Sequence, residues 1–123
     1  MSRPPDSVLV REGTTDLLVP STRSVKGPGK RVGRVFFNDQ MAFNRDVTIM
    51  LLKACPRTRT ALDAMAGTGA RAVRLAREAR PDMDIVANDR DAEACEYIKA
   101  NIELAGSGNI KASNDDLRCL LAR

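Results

Sequence analysis

The stretch Asp63-Ala64-Met65-Ala66-Gly67-Thr68-Gly69-Ala70-Arg71 holds the residues of this 123-residue chain whose types and spacing best suit chemistry. Glycines at 67 and 69 allow backbone angles closed to other residues, and with no side chain in the way a ligand can lie against the main chain where a helix begins. A purely structural strand-to-helix turn would favour the same glycines. Further acids follow at Asp89 and at the pair Asp115-Asp116. A carboxylate has two acceptor oxygens, so Asp89 can accept from both hydroxyls of a ribose; its other role would be to cap a helix, which Asp91 can already do. Asp115 or Asp116 can accept from the exocyclic amine of an adenine, Asp116 being preferred because Leu117 follows it as an apolar wall, or can cap the next helix. Together these positions describe a site for a nucleoside-containing cofactor.

Spacing does not by itself say which cofactor. Gly67-x-Gly69-x-x-Ala72 satisfies the dinucleotide pattern G-x-G-x-x-[GA], and Asp89 falls about where that pattern places its ribose-binding acid. Asp63 tips the choice. Four residues before Gly67, it would lie beside the positive ammonium and sulfonium of S-adenosylmethionine, whereas a pyrophosphate in that place would repel it. Three acids at three successive strand ends point the same way, toward a cationic nucleoside.

Composition narrows the remaining chemistry. The chain has no histidine, which removes Ser-His-Asp and Cys-His nucleophilic machinery and the commonest metal sites. Cys55, Cys95 and Cys119 lie far apart without CxxC pairing, fitting reduced thiols rather than a disulfide frame or zinc site; no metal is expected. No apolar run reaches the roughly 18 residues of a membrane span, and the N-terminus lacks the apolar centre of a secretory signal, so a cytoplasmic protein without a membrane partner is expected. Residues 1 to 60 hold eleven Lys/Arg against five Asp/Glu, a net of +6, while residues 61 to 123 hold nine against eleven, a net of −2. A basic front half suits a polyanion such as RNA.

The elements that must position these residues follow from periodicity and punctuation. Residues 8 to 19 read as a hairpin around Gly13-Thr14-Thr15, closed by Pro20. Residues 21 to 34 form a loop with Arg23, Lys26, Lys30, Arg31 and Arg34 and no acid, able to touch phosphates or simply to be solvated. After an extended piece at 35 to 38, a helix capped by Asn44 would turn Val47, Met50, Leu51 and Ala54 to one face and stop at Pro56. Then come a strand (60 to 67) running into the glycine turn and a helix (70 to 80) with Val73, Ala76 and Ala79 inward. A second strand (83 to 89), a helix (91 to 105) with Ile98 and Ile102 inward, a third strand (109 to 115) and the beginning of another helix complete the order. Alternating strands and helices predict an α/β fold with a parallel, doubly wound sheet. Two parts are expected: residues 1 to 43 as hairpin and basic loop, and residues 44 to 123 as the first part of a cofactor-binding domain. Three parallel strands leave an edge and an apolar face uncovered, which implies a fragment or a partner.

The chain resembles the tRNA (guanine-26) N2-dimethyltransferase family over nearly everything from Val8 to Leu121. The resemblance rests on Arg11-Glu12-Gly13 with Leu17-Leu18-Val19-Pro20; on Val35-Phe36-Phe37-Asn38 followed by Met41 and Asn44-Arg45-Asp46; on Asp63 to Arg71; on Asn88-Asp89; and on Asp115-Asp116. It implies an incomplete Rossmann-like fold of class I S-adenosylmethionine-dependent methyltransferases, with tRNA as partner. It also implies that Arg45 and Arg71 contact the cofactor together with Asp89 and Asp116. From the residues themselves, Arg45 lies near a helix start, where a ligand carboxylate would offset its unfavourable position in the helix dipole; solvent exposure or a pair with Asp46 is the alternative. Phe36 and Phe37 could wall the pocket, but buried aromatics near a helix more often belong to the core.

The family's catalytic Asp-Pro-Phe-Gly type segment follows the next strand, and the sequence ends before it. The resemblance therefore implies that the chain contributes the cofactor half of the enzyme and is inactive alone. Three other readings stand beside it: a fragment of an NAD(P)-binding oxidoreductase, a non-catalytic RNA-binding remnant, and a methyltransferase of the same fold with another substrate.

Overall fold

Alternating apolar residues on either side of Gly13-Thr14 build a two-stranded antiparallel hairpin, β1 (Ser7–Glu12) and β2 (Thr15–Pro20), in which Val10 pairs with Leu17 and Glu12 with Thr15. The computed structural model describes residues 3–22, 35–106 and 109–122. The basic stretch with Arg23, Lys26, Lys30, Arg31 and Arg34 lies outside the described residues.

A single 3-10 turn (Asp39–Met41) leads into α1 (Ala42–Lys53). Asn38 caps the 3-10 turn, its side chain accepting from the Gln40 amide at 2.8 Å, while α1 starts after Met41 without a side-chain cap and Asn44, the expected cap, lies within the helix. Nor does the expected face point inward. Val47, Met50 and Leu51 are exposed together with Phe43, whereas the buried side of α1 carries Arg45 and Ile49. The apolar stripe exists, but the opposite side is the one held to the core, because a buried cation with a carboxylate partner takes a place that periodicity assigns to an apolar residue.

Three strands, β3 (Thr60–Asp63), β4 (Asp84–Asn88) and β5 (Ile110–Ser113), form a parallel sheet in the order β3-β4-β5. Each is shorter than the sequence reading by two to four residues, because the chain turns away once ladder pairing stops. Between β3 and β4, α2 (Ala70–Arg74) passes directly into one π turn (Leu75–Ala79), closed by the Arg80 amide on the Leu75 carbonyl at 2.9 Å. The expected continuous helix of residues 70 to 80 is thus wider over its second half. Between β4 and β5 runs α3 (Ala92–Ala105), capped by Asp91 at its start and by left-handed Gly106 at its end, as its sequence predicts. A short α4 (Leu117–Leu121) follows β5.

The hairpin and the parallel sheet share one core. Leu17 and Val19 of β2 belong to the same cluster as Val73, Ile85 and Ile98. Each such fully buried aliphatic side chain contributes about 2 kcal/mol of burial free energy. Asn101 of α3 fastens the two parts: its side chain accepts from the Leu18 amide at 2.7 Å and donates to the Leu18 and Thr68 carbonyls, both at 2.9 Å. The glycine turn after β3 is thereby tied to the hairpin. No helix among the described residues is long and apolar enough to cross a membrane.

Candidate cofactor site

The carboxyl ends of β3, β4 and β5 come together, as the parallel sheet requires, and two clefts open there on either side of Met65. Asn88 sets the spacing of the strand ends. Buried at the end of β4, it donates to the Ala64 carbonyl after β3 and the Asp115 carbonyl after β5, both at 3.0 Å, and accepts from the Asp115 amide. One amide side chain thus clips three strand ends together.

The larger cleft, about 420 Å³, is lined by Met65, Asp89, Asp115, Asp116 and Leu117 among others. Asp89 holds its rim in shape: one carboxylate oxygen accepts from the Gly67 amide and the other from the Asp91 amide, each at 3.0 Å. Each oxygen keeps a further lone pair. Asp116 caps α4 by accepting from the Arg118 amide at 2.9 Å and also pairs with the Arg118 side chain, which holds its carboxyl below the usual range. Capping does not remove it from the cleft. Asp115 accepts from the Ser113 hydroxyl at 3.2 Å.

The smaller cleft, about 80 Å³, is lined by Phe36, Phe37, Arg45, Asp63, Met65 and Arg71 among others. Burial raises the Asp63 carboxyl above its ordinary value; Arg71 opposes this and Asp89 adds to it. Arg71 reaches across to α1, donating to the Thr48 hydroxyl at 2.6 Å and the Asn44 side chain at 2.8 Å. Asn44 therefore holds an arginine of the site instead of capping a helix. Arg45 is buried, lies 4.5 Å over the Phe37 ring and pairs with Glu12, not Asp46. Phe37 serves both core and cleft.

The two glycines differ in what they do. Gly67 has φ +59, and a Cβ there would stand 2.6 Å from the Phe36 carbonyl oxygen, so the turn closes against the chain before α1 only with glycine. Gly69, at φ +82, turns its bare side toward Ile98 of α3, where a Cβ would be 3.3 Å away. That bare side packs the turn against the helix behind the site.

Residues 13–123 match the model of the family described as N2,N2-dimethylguanosine tRNA methyltransferase. The chain belongs to this family. Its similarity to the tRNA (guanine(26)-N(2))-dimethyltransferase of Methanocorpusculum labreanum is 38% identity over 112 residues, covering 91% of this chain and 28% of that protein. For the Thermoplasma acidophilum protein of the same name the figures are 35% over 114 residues, 93% and 31%. Among solved structures, Trm1 from Pyrococcus horikoshii with S-adenosyl-L-methionine superposes with a TM-score of 0.76 at 29% identity, over 94% of this chain and 32% of that one. The chain thus spans less than a third of the length of these methyltransferases.

Membership of the dimethylguanosine methyltransferase family sets aside the nicotinamide reading that the G-x-G-x-x-A spacing left open. The fold is the Rossmann-like fold of these methyltransferases. Four polar residues that shape the site drew no functional reading from the sequence: Glu12, Thr48, Asn88 and Asn101. Single polar residues at sequence distances of 23 to 83 from their partners carry no periodic signal; only the strand order makes them neighbours.

Proposed function

We propose that this chain binds S-adenosylmethionine and supplies the cofactor-holding part of an enzyme that methylates the exocyclic amine of a guanine in tRNA. The observation that carries the reading is the pair of clefts that share Met65 at the strand ends, each edged by a carboxylate. The larger is edged by Asp89 and Asp116, acceptors for a ribose and an adenine amine; the smaller offers both charges, with Asp63 beside Arg71. A zwitterionic amino-acid end fits such a set. A pyrophosphate fits poorly, because the Asp63 carboxylate would repel it.

In this reading Asp89 takes the ribose hydroxyls with its remaining lone pairs, and Asp116, with Asp115 beside it, takes the adenine amine. Asp63 faces the ammonium and sulfonium, and Arg45 and Arg71 hold the carboxylate. Gly67 gives the turn its close approach, with Gly69 packing the following helix. The bound cofactor supplies a methyl group made electrophilic by the sulfonium. The residues of this chain bind and orient; they hold the donor end still and keep its charge balanced, which is where proximity lowers a transfer barrier. The acceptor guanine would have to leave its stack to reach the cleft, and the basic residues Arg23, Lys26, Lys30, Arg31 and Arg34 would meet tRNA phosphates.

The test is methyl transfer to tRNA transcripts. A chimera in which the remainder of the Methanocorpusculum labreanum relative follows this chain should transfer labelled methyl groups to a guanine amine, and the 123 residues alone should transfer none. Transfer by the isolated chain would overturn the cofactor-half reading. A folded chimera that binds tRNA but never the methyl donor would overturn the function.

A further inference from the structure

The first part of the chain enters the site through a single carboxylate. Glu12, the last residue of β1, receives Arg45 Nε on one oxygen and Arg45 Nη2 on the other, both at 2.7 Å. This two-point contact fixes the plane of the guanidinium as well as its position. The Phe37 ring lies beneath it, and Nη2 also donates to the Asn38 carbonyl at 3.1 Å. Arg45 lines the smaller cleft, and its Nη1 has no hydrogen-bond partner among the described residues.

Glu12 is itself held. Its Oε2 accepts from Arg74 Nη1 at 2.9 Å, and Arg74 is bound in turn by Asp46 at 2.7 Å and by Glu78 at 2.9 and 3.0 Å. Glu78 continues to the hairpin, accepting from the Thr15 hydroxyl at 2.7 Å. Arg74 and Glu78 therefore anchor the hairpin end to α2 and its π turn, while among the carboxylates of this network Glu12 is the one that pairs with Arg45. A group that merely docked the hairpin would not need a two-point grip on a residue of the cleft.

We propose that Glu12 is a positioning residue for the cofactor's amino-acid end: it sets the guanidinium of Arg45 so that its free edge meets the carboxylate. The inference rests on the reading that the smaller cleft takes this end. The hairpin is then part of the binding machinery, and its correct docking is a condition for gripping the donor.

Calorimetric titration of the full chain with S-adenosylmethionine and with 5′-methylthioadenosine, which keeps the nucleoside but lacks the amino-acid end, tests it. Glu12→Asp keeps the charge but shortens the reach, and should weaken S-adenosylmethionine about tenfold, as expected for loss of one charge-assisted hydrogen bond, while leaving methylthioadenosine within about twofold. In an Arg45→Ala background the same change should add nothing. Glu78→Gln, which loosens the hairpin without touching Arg45, should lower the melting temperature and leave the preference between the two ligands unchanged. Equal weakening of both ligands by Glu12→Asp, or of neither, overturns the positioning role. Should that variant not fold, Glu12→Gln is measured in the same way, since it presents one acceptor where Arg45 uses two. If Arg45→Ala itself leaves the preference unchanged, the failure lies with the placement of the amino-acid end. If Arg45→Ala changes it and Glu12→Asp does not, only the role of Glu12 fails.

Discussion

Asp89 and Gly67, twenty-two residues apart in sequence, are joined by a 3.0 Å hydrogen bond from the glycine amide to the carboxylate. The same carboxylate accepts from the amide of Asp91, the cap of α3, so one acid braces the turn after β3, holds the cap of the helix after β4 and edges the larger cleft. In the proposed reading, structural and ligand-binding roles meet in a single side chain.

Replacing it separates the two. Asp89→Ala should lose about 2 kcal/mol of stability, since two amides lose a charged acceptor, and should abolish measurable cofactor binding. Asp89→Asn keeps one acceptor oxygen and should recover part of the stability with little of the affinity. Chemical denaturation read alongside calorimetry checks both. Unchanged affinity in a folded Asp89→Ala protein would remove Asp89 from the binding site.

Gly67→Ala should be among the most damaging single-methyl additions in the molecule. The residue would need φ near +59 and would place its Cβ 2.6 Å from a backbone carbonyl that cannot swing aside. A loss of about 2 kcal/mol or more is expected from backbone strain together with overpacking. The shift of the urea midpoint measures it, and a loss under about 0.5 kcal/mol would mean that the turn relaxes easily.

Asp63 predicts a pH dependence of defined sign. Its folded pKa is raised, burial being the main cause, so the folded state binds the proton more tightly than the unfolded chain does. Its contribution to stability is most favourable below the ordinary aspartate range and is lost as pH rises through the raised value. Asp63→Asn should therefore flatten this fall and melt higher than the parent at neutral pH, while binding the methyl donor more weakly. Donor affinity of the parent should increase with pH over the same window, because a cation beside Asp63 favours its ionised form. Thermal melts and titrations across that range test this; a parent whose stability rises there while Asp63→Asn stays flat would contradict it.

Asn101→Ala should cost about 3 kcal/mol, because it strips partners from the buried Leu18 backbone and the Thr68 carbonyl. The hairpin should also detach, exposing Leu17 and Val19. Hydrogen exchange at the β2 amides would then rise before that of β4.

The parallel sheet was legible because strands and helices alternate with clear punctuation: Pro56, Pro81 and Gly106 stand where elements end or chains turn. The acids at the strand ends were legible for the same reason. Orientation on α1 was not. Val47, Met50, Leu51 and Ala54 form the stripe that periodicity assigns to the core, yet they are exposed and Arg45 and Ile49 occupy the buried side, since Glu12 neutralises the arginine from a strand that sequence spacing cannot bring near. The capping role expected of Asn44 failed for a related reason. A 3-10 turn capped by Asn38 starts the helical stretch earlier than spacing suggests, so that Asn44 falls inside α1 and its side chain accepts from Arg71.

Calorimetric titration of the folded protein with S-adenosylmethionine and, separately, with NAD tests the central reading most directly. Saturable heat with the first, lost in Asp89→Ala, and none with the second is predicted from acids that meet a cationic nucleoside at the strand ends. Saturation by NAD with no response to the methyl donor would contradict it.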